Sequence, residues 1–231
     1  SLATGTFYYR CIITVTSPNC ANLVTEVDSV IAVNDPVGVT DPVGATKCNG
    51  ETHAMSVSAS GGTGTFSYQW QYSTTGCSSG FSDIIGATNS SYTTPAMTQT
   101  TYYRCLIAQS GVACDTIETA CDTVIVNNLS AGTIKESDTI CYDTDPSELV
   151  TDIAASFDGT PGYRWEVSTT GPSSGFTPIG VTTENYKPGN LTQDTWYRRV
   201  AISTLNGIPC EDISNVVKIT VNPYPTVDPI G

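Results

Sequence analysis

The stretch Trp70-Gln71-Tyr72-Ser73-Thr74-Thr75-Gly76, followed by Gly80-Phe81, returns 95 residues later as Trp165-Glu166-Val167-Ser168-Thr169-Thr170-Gly171 with Gly175-Phe176. Thr101-Tyr102-Tyr103-Arg104 returns as Thr195-Trp196-Tyr197-Arg198, and Thr6-Phe7-Tyr8-Tyr9-Arg10 is an earlier copy. A fixed period of this length marks a tandem array, whose units must be read as repeats of one module. The 231 residues then divide into two complete units, 37–128 and 129–223, with a period of about 94 residues. Residues 1–36 match only the last third of a unit, and 224–231 read as a linker that opens another, so the chain is expected to be part of a longer array.

Working outward from the repeated core, the composition points to strands. Charged residues make up 13 % of the chain, and Ser, Thr, Gly and Asn separate Val, Ile and Tyr in the manner of short strands joined by turns. Tyr163, Trp165 and Val167 alternate onto one face. Trp196, Arg198 and Val200 fall on one face of a later strand, with Tyr197 and Ala201 on the other, and Val217, Ile219 and Val221 form a last apolar row. Phe176-Thr177-Pro178-Ile179-Gly180 reads as a short edge strand, where proline is tolerated. The single helix-start signal, Asp145-Pro146-Ser147-Glu148, predicts one helical turn. The fold class expected is all-β, tandem Ig-like β-sandwich repeats, each near the size of one such sandwich. In that fold Trp70 and Trp165 serve as core plugs, and Tyr103 and Tyr197 suit a tyrosine corner.

The net charge is −13, spread along the chain without a run. The nine Lys and Arg form no basic stripe, which excludes a nucleic-acid interface. No apolar stretch suits a membrane span. The nine cysteines in an acidic chain indicate an oxidising, extracellular setting. The second unit holds only Cys141 and Cys210, which pair by parity, and the aligned Cys48 and Cys114 give the first unit the same bridge, with Cys20 as the fragment's equivalent. Such a bridge would stabilise each unit by about 4 kcal/mol through the closed loop. Cys77, Cys105 and Cys121 are left over. Cys105 with Cys121 suits facing strands of a late hairpin, and Cys77 with Cys105 is the other reading.

Candidate chemistry is sparse. His53 stands without a nucleophile and an orienting acid in known relation to it. Gly61-Gly62-Thr63-Gly64 lacks the helix and the Lys-Ser/Thr of a phosphate loop and reads as a hairpin entry. Asp143, Asp145 and Glu148, or Glu211 and Asp212, offer weak calcium binding at a junction, but their spacing fits no EF-hand loop. The expectation is therefore a non-catalytic segment without a dedicated cofactor.

Leu129-Ser130-Ala131-Gly132-Thr133-Ile134, Asp138-Thr139-Ile140-Cys141-Tyr142, Tyr163-Arg164-Trp165, Phe176 to Gly180 and Leu205-Asn206-Gly207-Ile208-Pro209-Cys210 together resemble the PKD-like or Ig-like repeats of giant cell-surface adhesins of Bacteroidetes, the gliding-motility adhesins among them. The first unit departs from the pattern in its Thr40-Asp41-Pro42 opening and its three additional cysteines. The resemblance implies a long filament exported by type IX secretion and carried by a surface motor, which attaches to extracellular polysaccharide or a solid surface. It implies also that the cysteine near each unit's start pairs with the one in its last hairpin, and that Asp-Ser/Thr-aliphatic triplets such as Asp28-Ser29-Val30, Asp115-Thr116-Ile117, Asp122-Thr123-Val124 and Asp138-Thr139-Ile140 carry sugars. The alternative is a spacer or polysaccharide-binding module of a secreted hydrolase, for which Tyr72, Phe81 and Tyr92 would supply the aromatic platform.

Overall fold

The computed structural model describes residues 4–14, 16, 21–34, 36–62, 64–109 and 116–224; Cys20, Cys114, Asp115 and the tail 225–231 lie outside them. Every regular element among the described residues is a β-strand, and the fold is all-β, built of tandem Ig-like sandwich repeats. Ten strands carry the two larger sheets. They are β1 Ala45–Cys48, β2 Phe66–Ser73, β3 Ser82–Asp83, β4 Thr101–Gln109 and β5 Asp122–Asn127, then β6 Asp138–Cys141, β7 Thr160–Ser168, β8 Thr177–Pro178, β9 Thr195–Leu205 and β10 Ile208–Asn222. The first sheet runs β3-β2-β4-β5-β1 with Ile117–Glu118 as a side branch on β4, and the second runs β6-β10-β9-β7-β8.

Read from the other end, the second order is the first over again, so the sequence period is a period of topology. In each sheet the opening strand pairs in parallel with the closing one, β1 with β5 and β6 with β10, while the interior pairs are antiparallel. The facing layers are short ladders: Pro36–Thr40 with Ser58–Gly61 and Ala54–Ser56 with Ser91–Thr93 in the first repeat, Leu129–Ser130 with Ser156–Phe157 and Thr133–Lys135 with Val150–Ile153 in the second. The chain packs as two compact units, residues 1–44, 54–93 and 101–123, and residues 45–53, 94–100 and 124–231. In the second unit the core cluster is Ile134, Ile140, Leu149, Trp165, Tyr197, Val217 and Ile219. The early strands Gly5–Tyr9 and Asp28–Ala32 pair with each other and leave Tyr8, Ile31 and Val30 exposed.

Two local expectations are corrected. Asp145 to Glu148 forms no helical turn. Its flanks are tied across to other strands by the Thr144–Leu191 and Leu149–Tyr186 bridges, Ser147 N–H donates to the Asp138 carboxylate at 3.0 Å, and Lys187 holds Asp145 at 3.0 Å. Gly61 closes a strand that pairs with Pro36–Thr40 rather than with β2, so the glycine segment carries the chain from one sheet to another and is no hairpin. In β9 the alternation holds, with Thr195, Tyr197, Arg199, Ala201 and Ser203 buried on one face, and β10 holds one extra residue between the partners of Arg198 and Val200. Val200, on the opposite face beside this bulge, is buried as well.

The Asp-Ser/Thr triplets also find a backbone role. Asp28, Asp122 and Asp138 each accept the N–H of the following residue at 2.7 to 2.8 Å as a strand begins. Asp122 takes Gly44 N–H with its other oxygen at 2.8 Å. A short acidic side chain satisfies in this way donors that the ladder does not reach.

Candidate functional site

Trp70 and Trp165 are both 0 % exposed and Tyr103 and Tyr197 are buried. Each pair brackets a third ring, giving the files Trp70–Tyr92–Tyr103 and Trp165–Tyr186–Tyr197 with centroids 5.6 to 6.0 Å apart. The indole N–H donates to a carbonyl in both, Asn89 O and Thr183 O at 2.9 Å. Burial pushes the Tyr103 and Tyr197 hydroxyls up to about 12. Tyr92 is therefore packing material rather than part of an exposed platform. Phe81 lies under the Arg104 guanidinium at 4.0 Å, as Phe176 lies under Arg198 at 4.1 Å. Of the three aromatics only Tyr72 is exposed, so no flat ligand face is assembled from them. These stacks are what links the Gly-Phe motif to the Tyr-Arg motif across the period.

The cysteines pair differently from the sequence reading. Among the described residues the bonds are Cys48–Cys210 and Cys77–Cys121, and Cys11, Cys105 and Cys141 are free. Cys141 ends β6 opposite Asn222, while Cys210 lies twelve residues earlier on the neighbouring β10. At about 3.3 Å per strand residue the two are roughly 40 Å apart along the sheet, far beyond the reach of a disulfide. Cys48, being bonded to Cys210, has no valence for Cys114. Cys105 points into the core opposite Trp70 with 0 % exposure, its thiol pushed up to about 11 by burial, and so cannot meet Cys121 or Cys77. In the second repeat Arg199 stands opposite Trp165, also at 0 % exposure. Its guanidinium donates to Thr151 Oγ1, Glu184 O and Ala131 O and lies 4.8 Å over the Tyr163 ring.

The Cys48–Cys210 bond crowns a polar connector that lies wholly within the second compact unit and joins the sequence of one repeat to the next. Parallel pairing puts Cys48 of β1 opposite Asn127 of β5. Asn127 is 0 % exposed; its Nδ2 donates to Ser203 O at 2.8 Å and its Oδ1 accepts Ser203 Oγ at 2.7 Å. Asn206 Nδ2, at the turn between β9 and β10, donates to Thr46 Oγ1 at 3.0 Å. Asn49 Nδ2 donates to Asn128 Oδ1 at 2.7 Å, and Asn128 N–H donates to Asp158 at 2.9 Å. The sequence reading missed Thr46, Asn127, Ser203 and Asn206. A signal was present, since Thr46-Lys47-Cys48 recurs as Thr139-Ile140-Cys141 and Val126-Asn127 as Val221-Asn222.

A hollow of about 340 Å³ beside the bond is lined by Cys48, Asn49, Asn127, Leu129, Cys210, Glu211 and Asp212. Its carboxylates are already engaged. Glu211 receives both Arg164 terminal nitrogens at 2.7 and 2.9 Å, which holds it below the usual carboxylate range, and Asp212 accepts Ala131 N–H at 2.8 Å. Of the other carboxylates offered for calcium, Asp145 is paired with Lys187 at 3.0 Å and Asp143 Oδ1 accepts from Asn190 Nδ2 at 3.4 Å. Among the described residues no group of three or more His, Cys, Asp or Glu is placed to hold a metal ion. His53 shares two bonds with Thr94 through its backbone. No helix among the described residues is long and apolar enough to cross a membrane.

Among solved structures, three N-terminal domains of the bacteriophage RB49 Highly Immunogenic Outer Capsid protein are similar at 11 % identity, covering 96 % of this chain and 89 % of that one with a TM-score of 0.46. The fibronectin(III)-like modules of Clostridium thermocellum CbhA match at 14 % identity over 84 % of this chain and 100 % of theirs, TM-score 0.35. Sidekick-1 immunoglobulin domains 1–4 match at 11 % identity over 95 % and 58 %, TM-score 0.42. No curated protein matches the chain in sequence. The family model described as "Domain of unknown function (DUF8696)" matches residues 38–128 and again 130–223, and the chain belongs to that family, which it carries in two tandem copies.

Proposed function

We propose that the chain is a force-carrying segment of a long extracellular filament, in which Ig-like repeats hold adhesive surfaces away from the cell. The observation that carries this reading is the Cys48–Cys210 bond, which ties the opening strand of one repeat to the last hairpin of the next. Tension applied at residues 4 and 224 passes covalently from Cys48 to Cys210 through sulfur, so the backbone between them is not drawn out while the bond holds. A bond closing a separation of 162 residues stabilises the fold by about 5 kcal/mol on the chain-entropy account, and that of 44 residues between Cys77 and Cys121 by about 4 kcal/mol.

In this reading 37–128 and 129–223 are complete repeats, 1–36 closes a preceding one and 224–231 opens a following one. The finer assignment is a surface adhesin of Bacteroidetes close to the gliding-motility adhesin SprB, exported by type IX secretion, driven by a surface motor and attaching to polysaccharide or a solid surface. It is supported by the motifs from Leu129 to Cys210 and by the disulfides, which suit an oxidising exterior. Stretching single molecules by their termini tests the mechanical role. Reduction should lengthen the fully extended chain by roughly 550 Å, the reach of the 162 residues released. An extension that is the same with and without reductant contradicts it.

A further inference from the structure

The connector's parts occur a second time in the chain. Thr46, Cys48 and Asn127 engage the β9–β10 hairpin at Asn206, Cys210 and Ser203. Their counterparts in the second repeat are Thr139, Cys141 and Asn222, in the same parallel register, with Cys141 opposite Asn222 as Cys48 is opposite Asn127. At the first site the asparagine is fully buried; at the second both Asn222 and the free Cys141 are exposed. Beside them Tyr142 and Tyr224 stack 4.9 Å apart while 38 % and 68 % exposed, and Tyr142 N–H donates to Asn222 O at 3.0 Å. A free thiol, an exposed amide and an exposed aromatic pair thus share one end of the sheet, where the other repeat has a buried, bonded contact.

We propose that Thr139, Cys141 and Asn222 form a second connector, whose occupant is the late hairpin of another repeat of this family joined behind Pro223. The chemistry required is that of the hairpin in place at the first connector: an Asn-Gly turn, a cysteine three residues beyond the glycine, and a serine opposite that cysteine, as Ser203 is opposite Cys210. Cys141 Sγ bonds the hairpin sulfur; each thiol loses a proton, and the two electrons reduce a disulfide oxidant such as glutathione disulfide to two thiols. Successive bonds of this kind overlap, since Cys141 lies inside the loop closed by Cys48 and Cys210. An array so linked has no repeat outside a covalent loop. The inference stands on the connector's geometry and is independent of what the filament attaches to.

The test uses the full chain and the same chain extended after Pro223 by a second copy of residues 129–223. Both are oxidised with glutathione disulfide, alkylated with iodoacetamide and mapped without reduction. The extended chain is expected to show Cys141 linked to the added copy's hairpin cysteine, with alkylation of Cys141 lost, while the shorter chain shows Cys141 alkylated. With Cys141→Ser in the extended chain, the added cysteine should become alkylated and Cys48–Cys210 should persist. Cys141 fully alkylated in an extended chain that has formed Cys48–Cys210 overturns the proposal. So does Cys141 cross-linking two copies of the shorter chain as readily as it bonds the added repeat.

Discussion

Gly175 shows at the scale of one residue why the repeated motif ends as it does. Its φ is +74°, and a Cβ there would run into Thr170 Oγ1 and crowd Ser168 Oγ at 3.2 Å. Those hydroxyls are committed, since Ser168 Oγ donates to Ser174 O at 2.7 Å and accepts Thr170 N–H at 3.2 Å. Gly80 repeats the arrangement against Thr75 at φ +79°. Gly175→Ala should therefore destabilise the second repeat by about 1–3 kcal/mol, read as a shift of its urea midpoint; an unchanged midpoint would contradict the steric account. Arg199 is the opposite kind of residue, a fully buried charge held by two carbonyls and a hydroxyl, with burial lowering its proton affinity. Arg199→Ala leaves those acceptors unpaired and a hole opposite Trp165, and should cost about 3 kcal/mol or more in the same titration. A loss below roughly 1 kcal/mol, the range of an ordinary surface change, would show that the site collapses without penalty.

At the scale of elements, the aromatic files link β2 to β4 and β7 to β9 and carry a pH signature. Burial raises Tyr103 and Tyr197 from 10 to about 12 in the folded state. Their contribution is thus complete below pH 10, where both states are protonated, and is lost as pH rises through 12, because the unfolded chain gives up these protons first. Ultraviolet titration of the folded chain should show a late-ionising group that includes these two; with Tyr103→Phe and Tyr197→Phe the late group should shrink. A single transition for all tyrosines would contradict the packing. The strands, edge position of β8 and burial of the tryptophans were legible in the sequence because a two-residue period and a fixed repeat are local signals. The extra residue in β10 was not, because a bulge is defined by the partner strand.

At the scale of the whole molecule, the covalent pattern was the least legible part. Parity counted two cysteines in the second repeat and paired them, but parity holds only if no bond leaves the repeat. Cys48–Cys210 breaks that condition, and the strand geometry that sets Cys141 and Cys210 at opposite ends of a sheet is invisible without the β6–β10 register. The structural consequence is that stability in one repeat is coupled to the next through Asn127, Ser203 and the sulfur bridge. Non-reducing proteolysis and mass mapping of the oxidised 231-residue chain tests this most directly. The account predicts a fragment pair joining Cys48 to Cys210 and another joining Cys77 to Cys121; fragments joining Cys141 to Cys210, or Cys48 to Cys114, would contradict it.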